Sequence, residues 1–177
     1  MQVINPPIWN ALFWLMILFN TINSIAKGFL QESEGKMLYY HSICKPEALI
    51  VSKIIFNALV SLVLLLIFSI AYVGVLGFKV HNVTEYFLVA ILFTLGLSSV
   101  FTMVSAIATS GGNNAILIPV LGLPLMIPLL LITVKAAKKA MDGLESTSIY
   151  YDMGALLMMD VMVFYLALIL YKYLWKN

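Results

Sequence analysis

The chain has 177 residues, of which 63% are hydrophobic and 10% are charged, and its mean hydropathy is +1.03. Soluble domains have about 45–50% apolar and about 25% charged residues, so a soluble fold could not cover this much apolar surface. Ten lysines, eight acids and no arginine give a net charge of +2, without a basic patch for nucleic acid. The single cysteine, Cys44, excludes a disulfide framework within the chain. These figures exclude a soluble enzyme and a nucleic-acid binder, and predict a protein embedded in the lipid bilayer.

Five stretches are long and apolar enough to cross a membrane, which takes about 20 residues for a helix. Unbroken apolar runs such as Leu62–Ile67 lack the alternation of membrane β-strands. We therefore predict an all-α transmembrane helix bundle that forms one domain over residues 1–177. The run Ser110–Asn114 consists of turn formers and predicts the break between the third and fourth spans. The predicted spans cover residues 8–30, 49–78, 86–108, 115–134 and 151–171.

The distribution of lysines predicts the orientation. Six lysines lie on the side of the first connector and the carboxyl terminus, and four lie on the other side. The positive-inside rule therefore predicts that the first connector and the carboxyl terminus face the cytoplasm. The sequence Asn5-Pro6-Pro7 predicts the start of the first helix outside, with Asn5 as its cap.

The connector at residues 31–48 mixes charged and apolar side chains. Gly35 is suited to end one helix and Pro46 to begin the next. A short amphipathic helix between them could bind in a groove on a partner or lie at the membrane surface. The plainer interpretation is an interfacial turn without a partner. The candidate docking residues are Glu34, Gly35, Lys36, Met37, Leu38 and Pro46.

Polar side chains inside the spans are further candidates. Asn20 and Asn23 share one face of the first span, and Asn57 lies on a polar stripe of the second. Amides in lipid need partners, so these faces are expected to pack on other helices or to line a substrate path. Asp160 lies in the middle of the fifth span, where a carboxylate costs about 2.5–3.5 kcal/mol. It is either a functional acid or a protonated group hydrogen-bonded to a neighbouring helix.

The fourth span contains Pro119, Pro124 and Pro128, each of which removes a backbone donor. Bends of this kind suit a moving transporter and also occur in static helices.

His41 and Cys44 are too few for a structural zinc site, so no metal site is predicted. His81 is either a plain loop histidine, a haem ligand or a pH sensor. The sequence lacks a P-loop, so this chain cannot be its own P-loop ATPase.

Two segments resemble haem exporter protein B, the permease subunit of the bacterial cytochrome c maturation ABC transporter. Residues 29–38, with Pro46 and Lys53, are similar to the family's acidic–Gly–x–Leu segment. The stretch that begins at Gly111-Gly112 and continues through Pro119, Pro124 and Pro128 is similar to its double-glycine turn and LPL-x-x-P helix. The opening residues 4–14 resemble the Bacteroidetes-type members.

The sequence departs from the family in two respects. The family usually has six spans, so the first span is expected to be missing here, and with it part of a dimer surface. Thr109 and Ser110 stand where the family often has basic residues before the double glycine.

The resemblance implies an ABC-2-type permease in the bacterial inner membrane that is not itself an enzyme. Its coupling helix would lie in the first connector and take up motion from a separate ATPase subunit, which binds ATP and Mg²⁺. The implied partners are a second copy, a haem-handling membrane protein, a small membrane subunit and a periplasmic haem chaperone. ATP hydrolysis would release the haem-loaded chaperone. This chain would hold no cofactor of its own, and haem would be a handled or transported species.

Two other hypotheses remain open from the residues alone. One is an ATP-independent proton- or ion-coupled carrier that uses Asp160. The other is a structural membrane subunit that assists assembly and has no transport path.

Overall fold

The computed structural model describes residues 5–30, 46–77, 80–110 and 117–174, and these residues are helical apart from short turns. The all-α prediction is confirmed, because all five predicted spans are helices long and apolar enough to cross a membrane. The helices are α1 (Pro6–Leu30), α2 (Pro46–Leu76), α3 (Val83–Ser110), α4 (Leu117–Met141) and α5 (Ser146–Leu174).

The predicted helix starts are confirmed where proline or asparagine marks them. α1 begins at Pro6, and the amide of Trp9 donates to the carbonyl of Asn5 at 2.9 Å. α2 begins at Pro46, whose missing amide proton costs nothing in a first turn.

The last two spans were predicted to be shorter than the helices are. α4 continues to Met141 rather than ending at residue 134, and α5 begins at Ser146 rather than at 151. The fourth span was predicted to end at residue 134, just before the first of its lysines. A lysine stem can follow the helix while its ammonium group reaches the interface, so the helix continues through Lys135, Lys138 and Lys139.

α3 is the central helix of the bundle. The other four helices all pack against it and surround it in the order α1, α2, α5, α4, each also contacting its neighbours in this ring. Its span is the most buried of the five. Small and hydroxyl-bearing residues allow this close approach, because helices in lipid associate through tight packing rather than hydrophobic burial. The buried serines and threonines among the described side chains of α3 are Thr94, Ser98, Ser99, Thr102 and Ser105.

The hydroxyl groups of α3 are compatible with this buried position because several bond to their own helix. Thr94 Oγ1 donates to the carbonyl of Ala90 at 2.8 Å, and Ser98 Oγ donates to the carbonyl of Leu95 at 2.9 Å. A hydroxyl that is satisfied within its own helix does not need water, so these residues can face other helices in lipid.

The bundle has two ends, which we name after one residue each. At the Tyr86 end, the starts of α1, α3 and α5 meet the ends of α2 and α4, as the amide of Asn82 shows by donating to the carbonyl of Ala140 at 2.9 Å. At the Lys172 end, the end of α5 lies beside the start of α2, where Lys172 Nζ is 3.2 Å from Glu47 Oε1. The carboxyl-terminal helix and the start of α2 are therefore at the same end, as predicted.

Candidate functional site

Asp160 lies at the middle of the 29-residue helix α5 and is packed against the central helix. Its Oδ1 is buried and has no hydrogen-bond partner among the residues that the structure describes. Gly96 of α3 leaves the space that this carboxyl group occupies, since a β-carbon at position 96 would meet Oδ1 and would lie 3.0 Å from Cδ1 of Leu129. A buried polar atom without a partner is costly, so an orphaned carboxyl oxygen marks a candidate site.

The same carboxyl group lines a groove of about 370 Å³. The floor comes from α3, and one wall comes from α5. Leu95 and Ser99 share a face of α3 with Thr102, and Thr102 contacts α2, so the groove lies on the side of α3 between α2 and α5. The lining residues are Leu95, Ser99, Asp160, Val161, Phe164 and Tyr165.

The groove opens on the surface of the bundle. The side chains of Val161 and Tyr165 are 46% and 61% exposed, whereas Ser99 at the floor is buried. α2 and α5 approach each other closer to the Lys172 end, where Ile50 and Ala167 line a common crevice. The two helices therefore leave α3 partly uncovered in the middle of the membrane.

The other predicted polar residues lie in different surroundings. Asn57 is buried, and its Nδ2 donates to Thr102 Oγ1 at 2.9 Å, which joins α2 to α3. Asn20 is half-buried and Asn23 is exposed on α1. The described helices of this chain leave Asn23 uncovered, so the packing expected for this α1 face stays a prediction. The structure does not bring Asn20 or Asn23 to Asp160, because α1 and α5 occupy opposite positions in the ring around α3.

A polar group that the sequence analysis missed lies at the Tyr86 end. Asn10 is buried, and its Oδ1 accepts hydrogen bonds from Trp14 Nε1 at 2.7 Å and from the Tyr86 hydroxyl at 3.1 Å. The rings around it, including Trp9 and Tyr72, pack edge to face or stacked, and the Tyr72 hydroxyl donates to the carbonyl of Trp9 at 2.7 Å. The four-residue spacing of Asn10 and Trp14 was the signal that could have revealed this bond.

An ion-pair cluster at the same end was also missed. Asp152 lies 2.6 Å from Lys139 Nζ and 3.4 Å from Lys135 Nζ, which fixes the start of α5 to the end of α4. Lys139 Nζ also donates to the carbonyl of Ser148 at 2.9 Å. Glu85 accepts a hydrogen bond from Ser146 Oγ at 2.8 Å and so links α3 to α5.

The prolines of α4 lie within a continuous helix. Pro124 and Pro128 are one turn apart and both exposed, so they face away from α3. Pro119 stands in the first turn, where amide protons have no acceptor in the helix. Between them, Gly122 packs against the buried ring of Phe101, whose Cε1 would be 2.5 Å from a β-carbon there.

Several predicted site residues fall outside the described residues, namely Glu34, Gly35, Lys36, Met37, Leu38, Gly111 and Gly112. Pro46 is described only as the first residue of α2.

His81 lies against Gly143 in the turn between α4 and α5, where its Cδ2 would be 2.7 Å from a β-carbon at position 143. Within the described ranges, no three His, Cys, Asp or Glu residues cluster as a metal site would require.

Five membrane-spanning helices, four of them around a hydroxyl-rich central one, with a carboxyl group in a mid-membrane groove, define a polytopic integral membrane protein. The family described as CcmB protein matches residues 5–169, and the chain belongs to that family. It is thus a permease-type subunit of the haem export and cytochrome c maturation ABC system, in the inner membrane. No curated protein and no solved structure matches the chain.

Proposed function

We propose that this chain transmits the motion of a separate ABC ATPase across the membrane, and that this motion releases a haem-loaded periplasmic chaperone. The family match over residues 5–169 carries the proposal. In this scheme ATP and Mg²⁺ bind the partner, haem is cargo, and this chain supplies the moving helices. A second copy, a haem-handling membrane protein and a small membrane subunit complete the proposed complex.

The position of the first connector supports this role. Residues 31–45 join the end of α1 to the start of α2, so their attachment points lie at the Lys172 end of the bundle. Glu34, Gly35, Lys36, Met37 and Leu38 in this connector would form the coupling helix that binds a groove on the ATPase. The lysine distribution favours a cytoplasmic position for this end.

The ring of helices provides a route for the motion. α1 and α2 are neighbours and both pack on α3, so a displacement of their connected ends acts on the central helix from two sides. ATP-driven closure of the ATPases would then favour one of two arrangements of the bundle, which is a shift in population rather than a continuous deformation. Gly111, Gly112 and the prolines of α4 would allow the α3–α4 unit to adapt.

Paired substitutions in connectors at opposite ends test the proposal. Leu38→Asp places a charge in the proposed coupling helix and is expected to reduce co-purification of the ATPase about tenfold or more. Leu144→Asp, in the half-exposed turn between α4 and α5, introduces the same side chain at the other end and should leave co-purification unchanged. Cytochrome c maturation should fall with the first variant and persist with the second. Equal effects, or no P-loop ATPase in the purified wild-type complex, would contradict the proposal.

The orphaned oxygen of Asp160 favours a second candidate, an ATP-independent carrier that uses this acid. That function predicts transport by purified protein in liposomes without any ATPase, and loss of transport in Asp160→Asn. Activity that depends wholly on ATP would exclude it. An assembly subunit without a transport path instead predicts that Asn20, Asn23 and Asn57 substitutions change the yield of the complex but never its ATP-dependent activity.

A further inference from the structure

The carboxyl group of Asp160 has no counter-charge among the described helices. The lysines of these helices all lie in the terminal thirds, near the two membrane surfaces, whereas Asp160 is at a helix midpoint. The described ion pairs are accordingly at the two ends, between Asp152 and its lysines and between Glu47 and Lys172. Acids inside membranes pair with other polar groups or face a cavity, so Asp160 requires a partner from elsewhere.

The groove beside Asp160 has the position and chemistry for such a partner. It is open on the surface of the bundle, its walls are apolar except for Ser99, Asp160 and the Tyr165 hydroxyl, and it lies where α2 and α5 leave α3 uncovered. A helix placed there would bury the exposed side chains of Val161 and Tyr165. It would also bring its own mid-membrane residue to the level of the carboxyl group.

We propose that this groove accommodates a transmembrane helix of another membrane subunit, which presents a lysine or arginine to Asp160 at mid-membrane depth. A lipid chain would fill the apolar part but would leave the carboxyl group without a donor. The described helices of a second copy carry their lysines at the wrong depth, so a second copy does not satisfy the site. The proposal concerns contacts between membrane subunits and holds whether or not the ATPase coupling described above is correct.

Cross-linking to a model helix in liposomes tests the proposal. The full chain carries Cys44→Ser and Val161→Cys, which places one thiol in the groove. The probe is a leucine-rich peptide of about 20 residues with a central lysine and a cysteine one turn away, and its control has leucine in place of the lysine. A matched variant, Ile127→Cys, places the thiol near the middle of α4 at 49% exposure, against 46% for Val161.

The proposal predicts that Val161→Cys cross-links to the lysine peptide about three- to tenfold more than to the leucine peptide, the range expected for polar contacts between membrane helices. Asp160→Leu should abolish this preference. The isosteric Asp160→Asn should lower it by about half or more, because a charge-assisted hydrogen bond is about twice as strong as a neutral one. Ile127→Cys should show no preference.

Three results would overturn the proposal. The first is equal cross-linking of both peptides to Val161→Cys, which indicates an apolar groove that lipid can fill. The second is a preference that persists in both Asp160 variants. The third is a disulfide between two copies of the Val161→Cys chain that excludes the peptide, which would assign the groove to a second copy.

Discussion

Asp160 of α5 packs directly against Gly96 of the central helix, because its carboxyl oxygen Oδ1 occupies the space that a β-carbon at position 96 would need. Leu129 of α4 borders the same space, with its Cδ1 3.0 Å from that position. The three helices therefore meet at mid-membrane depth around Gly96, where the lack of a side chain leaves room for the carboxyl group.

We predict that Gly96→Ala destabilises the bundle by about 1–3 kcal/mol, as overpacking of a filled interior does. Adding Asp160→Ala should relieve most of this loss. The free energy of unfolding in mixed detergent micelles is the measurement. Gly154→Ala on α5 is the control, because no atom of another described element lies within 4 Å of its β-carbon position. A Gly96→Ala variant as stable as Gly154→Ala would contradict this packing.

Replacing Asn10 should lower the free energy of unfolding more than removing the Tyr86 hydroxyl that bonds to it. Asn10→Leu leaves the donors of Trp14 and Tyr86 unsatisfied in a buried cluster, at about 1–3 kcal/mol for each group. Tyr86→Phe removes one donor and leaves the bond from Trp14 intact, so its effect on the free energy of unfolding should be smaller. Unfolding followed by tryptophan fluorescence compares the two variants. A larger loss for Tyr86→Phe would contradict the prediction, because it would assign more of the stability of this end to the Tyr86 hydroxyl than to Asn10.

The hydrogen bond from Asn57 to Thr102 should contribute about 0.6 kcal/mol, and at most about 1.7, as measured for such bonds between membrane helices. A double-mutant cycle with Asn57→Ala and Thr102→Val measures this coupling free energy. Thr94→Val is the control for the loss of a hydroxyl, since Thr94 bonds to the carbonyl of Ala90 in its own helix. A cycle with Thr94→Val in place of Thr102→Val should give no coupling. Strictly additive effects of Asn57→Ala and Thr102→Val would contradict the bond.

The two ends of the bundle should respond differently to the loss of an ion pair. Lys139 and Asp152 have side chains only 21% and 12% exposed, whereas Lys172 and Glu47 are 58% and 53% exposed. Lys139→Gln should cost about 1–3 kcal/mol because it leaves a largely buried carboxylate with only the more distant Lys135. Lys172→Gln should lower the free energy of unfolding by less than about 1 kcal/mol. This effect should disappear at high salt, which screens the exposed pair. Thermal unfolding at low and high salt measures both, and equal losses would contradict the prediction.

The sequence predicts the number and type of the helices but not their arrangement. Apolar length alone locates all five spans, and Pro6 and Pro46 predict two starts. The fourth span was predicted to end too early because a lysine was treated as the end of a helix. The serines, threonines and Gly96 of α3 favour a central position for this helix. Helices of similar hydropathy, however, give no sequence signal for which of them pack together.

The polar site was only half predictable. An acid at the middle of a span is visible in the sequence, so Asp160 could be selected. Gly96, Ser99 and Asn10 could not, because their importance depends on which helices meet. For Asn23, the helical spacing predicts a packed face. The described helices of this chain leave it exposed, so that packing stays a prediction.

The side of the membrane on which Cys44 lies tests the central claim most directly, because Cys44 is the only cysteine and stands in the connector between α1 and α2. A membrane-impermeant maleimide should label Cys44 in inverted membrane vesicles and not in intact spheroplasts. A Cys44→Ser chain with Leu144→Cys, in the turn at the Tyr86 end, should give the reverse pattern. Labelling of Cys44 only from the outside would place the connector beyond the reach of a cytoplasmic ATPase and would contradict the proposed coupling.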